Sequence, residues 1–223
     1  MINKHPDIET VLFDLDGTLA DSLPLIRHCY FTVFSEMGIP WGNGDVMRWI
    51  GRPLKDIAVH FAGEDPSEYF IERYQYHYHR DHDQYTSIYP GTLEMLRSLK
   101  ESMIKTGVVT SKGRPGTMRT VEFTGMVEYL DVIITANDVE RHKPLPDPVY
   151  KAMDLLGSVP ESTVFVGDSH YDLEAGKAAG IRVLGITWGI SSAGELARYC
   201  PERILGDWED LISYIYSRGI EKI

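Results

Sequence analysis

Residues 10–18 read Thr10-Val11-Leu12-Phe13-Asp14-Leu15-Asp16-Gly17-Thr18, an apolar run that ends in two aspartates and a glycine. A run of this kind, followed at once by turn-forming residues, predicts a short strand that is buried on both faces. Asp14 and Asp16 are two positions apart at the end of an extended segment, so their side chains begin on the same face. The sequence therefore predicts a buried strand with two carboxylates at its carboxyl end.

Four later apolar runs repeat the strand pattern, at residues 106–109, 132–134, 163–166 and 183–186. Helical patterns lie between them, and one has clear boundaries: Asp147 fits an N-cap, Pro148 the first helical position and Gly157 the stop. Strands that alternate with helices predict crossover connections and a parallel sheet. We therefore expect an α/β fold, with a Rossmann-like, doubly wound parallel sheet as its core.

Residues 20–87 interrupt this alternation. The segment has no clear strand, and its helical patterns are broken by Gly and Pro, as in Gly38-Ile39-Pro40 and Gly51-Arg52-Pro53. The alternation resumes after Tyr89-Pro90-Gly91. We expect two domains: a catalytic core formed by residues 1–19 and 88–223, and a helical cap of residues 20–87 inserted after the first strand motif. The two connections, near Ala20-Asp21 and near Tyr89-Pro90, are the expected hinges.

Composition narrows the classes of partner. The 223 residues carry 33 acidic and 22 basic side chains, a formal net charge of -11, which argues against binding to nucleic acid or an anionic membrane surface. Only two cysteines occur, which predicts neither a disulfide framework nor a thiolate zinc site. Residues 1–6 lack the apolar core of a signal peptide, and no apolar run is long enough to span a bilayer. We expect a cytoplasmic protein.

Polar residues follow three of the predicted strands. Asp14 and Asp16 follow the first, Thr110 and Ser111 follow the second, and Asp168 with Ser169 and Asp172 follows the fourth. Ligands of open parallel sheets bind beyond the carboxyl ends of the strands, so these groups should meet at one rim. Clustered carboxylates repel unless a cation relieves them, and oxygen-only ligands favour Mg²⁺.

Phosphate is the ligand that suits the rest of this rim. Gly17 permits close backbone approach, and its amide, together with that of Thr18, is expected to bind an anion. Thr110, Ser111 and Lys143 add hydrogen-bond donors and positive charge. The residues therefore predict a phosphate group held against Mg²⁺.

The order of these motifs resembles the haloacid dehalogenase superfamily. The resemblance rests on four stretches and covers almost the whole chain: Asp14-Leu15-Asp16-Gly17-Thr18-Leu19, Val108-Val109-Thr110-Ser111-Lys112, His142-Lys143-Pro144, and Val166-Gly167-Asp168-Ser169 with Asp172. The insertion and its segment Ile50-Gly51-Arg52-Pro53-Leu54 are similar to the cap of the phosphoglycolate phosphatase branch. The tract from Tyr74 to His82, with Val109-Thr110-Ser111-Lys112, also resembles bacterial inorganic pyrophosphatases of that branch.

The resemblance implies a role for each motif residue. Asp14 would be the nucleophile that forms an aspartyl-phosphate, and Asp16 would be the general acid and then the general base. Mg²⁺ would be held by the Asp14 carboxylate, the Asp16 backbone carbonyl and Asp168, with Ser169 and Asp172 supporting these ligands. Gly17, Thr18, Thr110, Ser111 and Lys143 would bind the phosphate. The implied enzyme is a Mg²⁺-dependent phosphatase.

Two alternatives remain open at this stage. A phosphoglucomutase-like phosphotransferase would keep the same aspartates, although those relatives more often have Val at the position of Thr18. A non-catalytic phosphate-binding or regulatory module would keep an aspartate at a strand end but would not need Asp16. The substrate is expected to be a small phosphorylated molecule of the phosphoglycolate, pyrophosphate or sugar phosphate type, and the sequence predicts no oligomeric state.

Several residues of the insertion invite a functional interpretation. A guanidinium at Arg52 can bind a substrate carboxylate or second phosphate, so Arg52 is the candidate for substrate specificity. His77 and His79 would lie about 200° apart on a helix, so we expect a solvated or partly buried face for the group His77, His79 and His82, not a metal site. We expect the tyrosines to pack in the core and cap; they are Tyr69, Tyr74, Tyr76, Tyr78 and Tyr85.

Overall fold

The computed structural model of the protein describes residues 8–217. Its main sheet has six parallel strands in the order β5-β4-β1-β6-β7-β8. They are β1 (Thr10–Phe13), β4 (Lys105–Val109), β5 (Val132–Ile134), β6 (Thr163–Gly167), β7 (Arg182–Ile186) and β8 (Arg203–Leu205). The expected α/β fold with a Rossmann-like parallel sheet is confirmed, and its five predicted strands are β1, β4, β5, β6 and β7.

Helices cover both faces of this sheet. They are α4 (Thr92–Glu101), α5 (Arg114–Phe123), α6 (Asp147–Leu156), α7 (His170–Ala178), α8 (Ala193–Ala197) and α9 (Trp208–Ser217). Side chains alternate along β1: Val11 and Phe13 pack in the cluster that includes α4 and α9, whereas Leu12 packs in the cluster that includes α6 and α7. Because both faces are buried, β1 is a continuous apolar run without polar alternation.

Three α-helices and a 3-10 helix (Gly42–Trp49) lie between β1 and α4 in the chain, and the α-helices are α1 (Leu23–Met37), α2 (Leu54–Ala62) and α3 (Ser67–Tyr85). They have a hydrophobic cluster of their own, which includes Leu25, Val33, Ile57 and Phe70. Two short strands, β2 (Ala20–Asp21) and β3 (Ser87–Ile88), pair antiparallel beside this helical segment. The two chain connections to the insertion therefore run side by side.

Some details differ from the sequence predictions. Pro146 occupies the N-cap of α6, so the helix begins at Asp147, one residue before the expected first position; it ends where expected, with Gly157 left-handed at φ 59°. The edge strand β8 and the pair β2–β3 were not predicted, because two or three residues carry too little periodicity. Within residues 8–217, no helix is both long and apolar enough to cross a membrane. The expectation for residues 1–6 lies outside the described part.

Candidate active site

The register of the sheet aligns the carboxyl ends of three neighbouring strands, β4, β1 and β6. Phe13 pairs with Val108 of β4 on one side and with Val166 of β6 on the other. Asp14 follows directly, and its amide donates to the Val166 carbonyl over 3.0 Å. The predicted residues Asp14, Thr110 and Asp168 therefore all leave the sheet at its carboxyl edge, and all three are buried.

Three carboxylates meet at this edge. One oxygen each of Asp14, Asp168 and Asp172 lies within 4.8 Å of the others. Burial raises the pKa of Asp14 to about 7, although the nearby Lys143 opposes the shift. Burial, with the charges of Asp172 and Asp14, also raises the pKa of Asp168 well above its usual value. The cluster is short of positive charge.

The Asp168 carboxylate is enclosed by backbone. One oxygen accepts the Ile190 amide at 2.8 Å, and the other accepts the Thr18 hydroxyl at 3.3 Å. A Cβ at Gly17 would lie 2.3 Å from Asp168 Oδ2, and one at Gly189 would lie 2.2 Å from Asp168 Cβ. Gly17 also has φ +84°, so glycine is required there both by space and by backbone conformation.

Asp172 supports the cluster from α7. Its Oδ2 accepts the amide and hydroxyl of Ser169 in a capping box at the start of the helix, and its Oδ1 accepts Lys143 Nζ at 2.6 Å. Both oxygens therefore have partners within the protein. That Ser169 and Asp172 support the ligands of a metal stays a prediction.

The Lys143 ammonium is paired with acceptors of the protein itself. Its ammonium donates to Asp14 Oδ1 at 2.8 Å, to Asp172 Oδ1 at 2.6 Å and to the Val109 carbonyl at 3.1 Å. A lysine has three N–H donors, and here all three have acceptors in the chain. The side chain is buried and its ammonium holds the Asp14 carboxylate in place, while the role of Lys143 in phosphate binding stays a prediction.

At the predicted anion site, the backbone amides of Gly17 and Thr18 are already paired within the chain. The Gly17 amide donates to Ala20 O at 2.9 Å and the Thr18 amide donates to Leu15 O at 3.3 Å, because the chain turns back here into β2. The amides just before the turn differ: those of Leu15 and Asp16 have no acceptor among residues 8–217. The backbone donors available to an anion therefore lie one or two residues earlier than predicted.

Two hydroxyls complete the rim. Thr110 Oγ1 accepts the Lys112 amide at 3.2 Å, which leaves the hydroxyl proton free to donate elsewhere. Ser111 Oγ is buried, and it has no hydrogen-bond partner in the described part of the chain. Both residues line the cavity beside Asp14 and Asp16, named here the active-site cavity. A buried hydroxyl without a partner is costly, which indicates that a polar ligand supplies one.

Asp16 has two partners that the sequence reasoning did not identify. Its Oδ1 accepts the Ser22 hydroxyl at 2.6 Å and Lys112 Nζ at 2.6 Å. Lys112 directly follows the predicted pair Thr110 and Ser111, so its position after a strand was a usable signal. Ser22 lies beyond β2, and only the backbone turn at Gly17 brings it back to Asp16.

The active-site cavity lies between these groups and the inserted helices. Its volume is about 170 Å³, and its lining includes Ile26, Tyr30, Ile57 and Tyr74 from the insertion. Arg52 also lines it, but its guanidinium is sandwiched between the rings of Trp49 and Tyr171, and Arg52 Nε donates to Tyr171 Oη at 3.0 Å. Arg52 thus joins the insertion to α7, next to Asp172.

The histidine group is not one site. His77 and His82 are buried and His79 is exposed, so the face that carries the three histidines is partly buried, as expected. His77 Nε2 lies 2.8 Å from Glu36 Oε1. His82 lies between Asp83 and Thr120, at 2.8 Å and 3.1 Å. Of the five tyrosines, Tyr74 and Tyr78 are buried as expected, whereas Tyr69 and Tyr76 are about half exposed.

The cluster Asp14, Asp168 and Asp172 fits one divalent cation. It offers buried, acceptor-only oxygens with a single neighbouring ammonium, and oxygen-rich sets of this kind suit hard cations. Burial and the charges of neighbouring carboxylates raise the pKa values of Asp14 and Asp168, and a cation would offset that negative charge.

Together, the parallel sheet, the aspartate after its first strand and the carboxylate cluster define a class of α/β hydrolases. Residues 11–186 match the model of the haloacid dehalogenase-like hydrolases, and the chain belongs to that family. It is an enzyme of the phosphatase class. The expectation of a non-catalytic module is therefore not retained.

Individual relatives cover nearly the whole chain. Pyrophosphatase PpaX of Oceanobacillus iheyensis is 33% identical over 208 residues, which are 93% of this chain and 97% of the relative. Pyrophosphatase PpaX of Halalkalibacterium halodurans is 35% identical over 213 residues, 94% and 97% of the two chains. A crystal structure of a predicted phosphoglycolate phosphatase from Haemophilus somnus has a TM-score of 0.85 at 28% identity, covering 93% of this chain and 98% of that one.

Proposed function

We propose that this protein is a Mg²⁺-dependent phosphatase that hydrolyses a small phosphorylated substrate through an aspartyl-phosphate on Asp14. The observation that carries the proposal is the asymmetry of the Asp14 carboxylate. Oδ1 accepts Lys143 Nζ at 2.8 Å, whereas Oδ2 has no hydrogen bond from any described residue, and Asp14 lines the active-site cavity. A carboxylate held by one oxygen presents the other as a nucleophile.

The reaction would proceed in two displacements. In the first, Asp14 Oδ2 attacks phosphorus, the bond from phosphorus to the leaving oxygen breaks, and Asp16 gives that oxygen a proton. In the second, Asp16 removes a proton from a water molecule, which attacks phosphorus and frees Asp14. The products are the leaving group and inorganic phosphate. Asp14 and Asp16 both line the cavity, which suits this division of roles.

The donors around Asp14 fit the transferred phosphoryl group. The hydroxyls of Thr110 and Ser111 and the unpaired amides of Leu15 and Asp16 would bind its equatorial oxygens. Lys143 would keep Asp14 aligned instead of binding phosphate directly. The Asp14 and Asp168 carboxylates and the Asp16 carbonyl would hold Mg²⁺, which supplies neutralising charge between the nucleophile and the phosphoryl oxygens.

Residues 20–87 would act as a mobile cap over this site, with residues 1–19 and 88–223 as the core. The short pair β2–β3 lies where the two connections join the insertion to the core, so one hinge region would serve both. Closure would exclude bulk water, and a cavity of about 170 Å³ admits only small substrates. The names of the relatives favour pyrophosphate and phosphoglycolate as first candidates. The unpaired cysteines Cys29 and Cys200 suit a reducing cytoplasm.

A phosphate-release screen tests the proposal. Pyrophosphate, phosphoglycolate, sugar phosphates and nucleoside monophosphates would be assayed with Mg²⁺ and with EDTA, for the wild type and Asp14→Asn. We expect Mg²⁺-dependent turnover of at least one small substrate by the wild type and none by Asp14→Asn. Equal turnover by the variant, or no Mg²⁺-dependent turnover of any substrate, would contradict the proposed function.

A further inference from the structure

One lysine of the cavity wall is placed beside the general acid. Lys112 Nζ lies 2.6 Å from Asp16 Oδ1 and 3.3 Å from Thr120 Oγ1. Lys112 lines the active-site cavity, whereas Lys143 is not among the lining residues and its three donors are paired within the protein. Lys112 is therefore the lysine of this site that a substrate can reach.

The Lys112 ammonium is held in position from both sides of the cavity. It lies 4.6 Å above the ring of Tyr78 on α3, and the Tyr78 hydroxyl is 2.9 Å from Thr120 Oγ1 on α5. Gly116 lies close to the stem: a Cβ there would be 3.1 Å from Lys112 Cε. A charged group fixed by an aromatic face and a hydroxyl is preorganised, so little side-chain entropy is lost when it binds an anion.

The position of Lys112 has a consequence for the leaving group. Under the proposed function, on which this step rests, Asp16 protonates the leaving oxygen and must lie within hydrogen-bond distance of it. The Lys112 ammonium is 2.6 Å from that same carboxylate, so it lies beside the part of the substrate that departs. We propose that Lys112 determines substrate specificity by binding a negative charge on the leaving group.

The substrate class follows from this placement. It comprises compact molecules whose leaving group is itself anionic: a second phosphate, as in pyrophosphate, or a carboxylate next to the ester oxygen, as in phosphoglycolate. Much of the remaining wall is apolar, with Ile26, Leu54 and Ile57 among its residues. Sugar hydroxyls placed against these side chains would lose hydrogen bonds to water, which disfavours sugar phosphates.

Arg52 is the competing cation, and it provides the matched control. Its guanidinium already stacks between Trp49 and Tyr171 and donates to Tyr171 Oη, whereas Lys112 faces Asp16. We therefore expect Arg52→Gln to change activity on charged and neutral leaving groups by a similar factor. Lys112→Gln should change the two unequally.

The test compares kcat/KM within two substrate pairs matched in leaving-group chemistry. The pairs are pyrophosphate with 4-nitrophenyl phosphate, and phosphoglycolate with 2-hydroxyethyl phosphate. Lys112→Gln should lower the ratio of charged to neutral substrate by about 10- to 100-fold in at least one pair, the range of one hydrogen bond to a charged group. Lys112→Arg should recover part of that ratio. The affected pair identifies whether the anion is phosphate or carboxylate.

A merely structural role for Lys112 would lower both members of a pair equally, so unchanged ratios would overturn the proposal. A shift caused by Arg52→Gln but not by Lys112→Gln would overturn it as well. Calorimetric binding of methylenebisphosphonate and methylphosphonate, with Mg²⁺, tests the same step without turnover. The wild type should prefer the bisphosphonate and Lys112→Gln should lose that preference; an equal preference in both proteins would contradict the proposal even if no substrate is hydrolysed.

Discussion

Lys143 Nζ donates to Asp14 Oδ1 over 2.8 Å, although 129 positions separate the two residues in the chain. The same ammonium also binds Asp172, so one positive charge serves two buried carboxylates while Asp168 lies beside them. This shortage of positive charge links the architecture to the proposed metal, because a bound cation would offset the buried negative charge.

Asp168→Asn should weaken Mg²⁺ binding without lowering the stability of the metal-free protein. We expect Mg²⁺ to raise the Tm of the wild type, because a ligand that binds only the folded state stabilises it, and we expect at least about a tenfold weaker Mg²⁺ affinity in the variant. In EDTA the variant should be no less stable than the wild type, because one of three crowded carboxylates is gone and Asn can still accept the Ile190 amide. Thermal unfolding with EDTA and with graded Mg²⁺ measures both effects.

The matched control for that prediction is Asp154→Asn, a change at an exposed aspartate of α6 that is not a member of the carboxylate cluster. It should respond to Mg²⁺ as the wild type does. If Mg²⁺ stabilises Asp168→Asn as strongly as the wild type, Asp168 does not hold the metal.

Asp16→Asn should reduce activity most strongly on substrates whose leaving group must be protonated as it departs. We expect kcat/KM for 2-hydroxyethyl phosphate to fall by about 10²- to 10⁴-fold, because an alkoxide cannot leave without protonation. The loss on 4-nitrophenyl phosphate should be much smaller, since its leaving group is stable as an anion. Steady-state kinetics on both substrates measures the difference. Equal losses would exclude Asp16 as the general acid.

Glu36 should contribute stability in a defined pH range. Hydrogen bonds from Arg73 and His77 hold the pKa of Glu36 at about 2, below its ordinary value of 4.5. A depressed pKa in the folded state means that the contribution is complete above about pH 4.5 and is lost as the pH falls towards 2. Glu36→Gln should therefore lower the free energy of unfolding by about 1 kcal/mol at pH 7, since surface pairs are screened by solvent.

Chemical denaturation of the wild type and Glu36→Gln between pH 7 and pH 3 measures this difference. It should shrink as the pH falls. Glu68→Gln, a change at an exposed position of the same insertion, is the control and should show no such trend. A difference between wild type and Glu36→Gln that is constant from pH 7 to pH 3 would show that the ion pair with Arg73 is not its source.

The sheet was predictable because its strands are buried on both faces. Val11, Leu12 and Phe13 form an unbroken apolar run, and the position of Asp14 at its end follows from the rule that parallel sheets bind ligands at their carboxyl edge. The meeting of Asp14 with Asp168 was therefore predictable from strand ends alone. Strands of two or three residues, such as β2 and β8, lack the length that makes periodicity visible.

The partners of individual polar atoms were not predictable. The Gly17 amide donates to the Ala20 carbonyl in a turn. The three N–H groups of Lys143 donate to Asp14, Asp172 and Val109. Residue type indicates which groups can bind phosphate, but only the folded backbone decides which of them are already paired. For Lys112, the sequence indicates a position at the carboxyl edge of the sheet, because Thr110 and Ser111 precede it. Only the structure shows that its ammonium contacts Asp16.

The stereochemical course at phosphorus tests the central claim, that Asp14 accepts the phosphoryl group, most directly. A phosphorothioate ester made chiral with ¹⁸O would be hydrolysed by the wild type in ¹⁷O-enriched water, and the configuration of the released thiophosphate would be determined. Two successive displacements, the first onto Asp14, predict net retention. Net inversion would mean that water attacks the substrate directly, and it would contradict a covalent intermediate on Asp14.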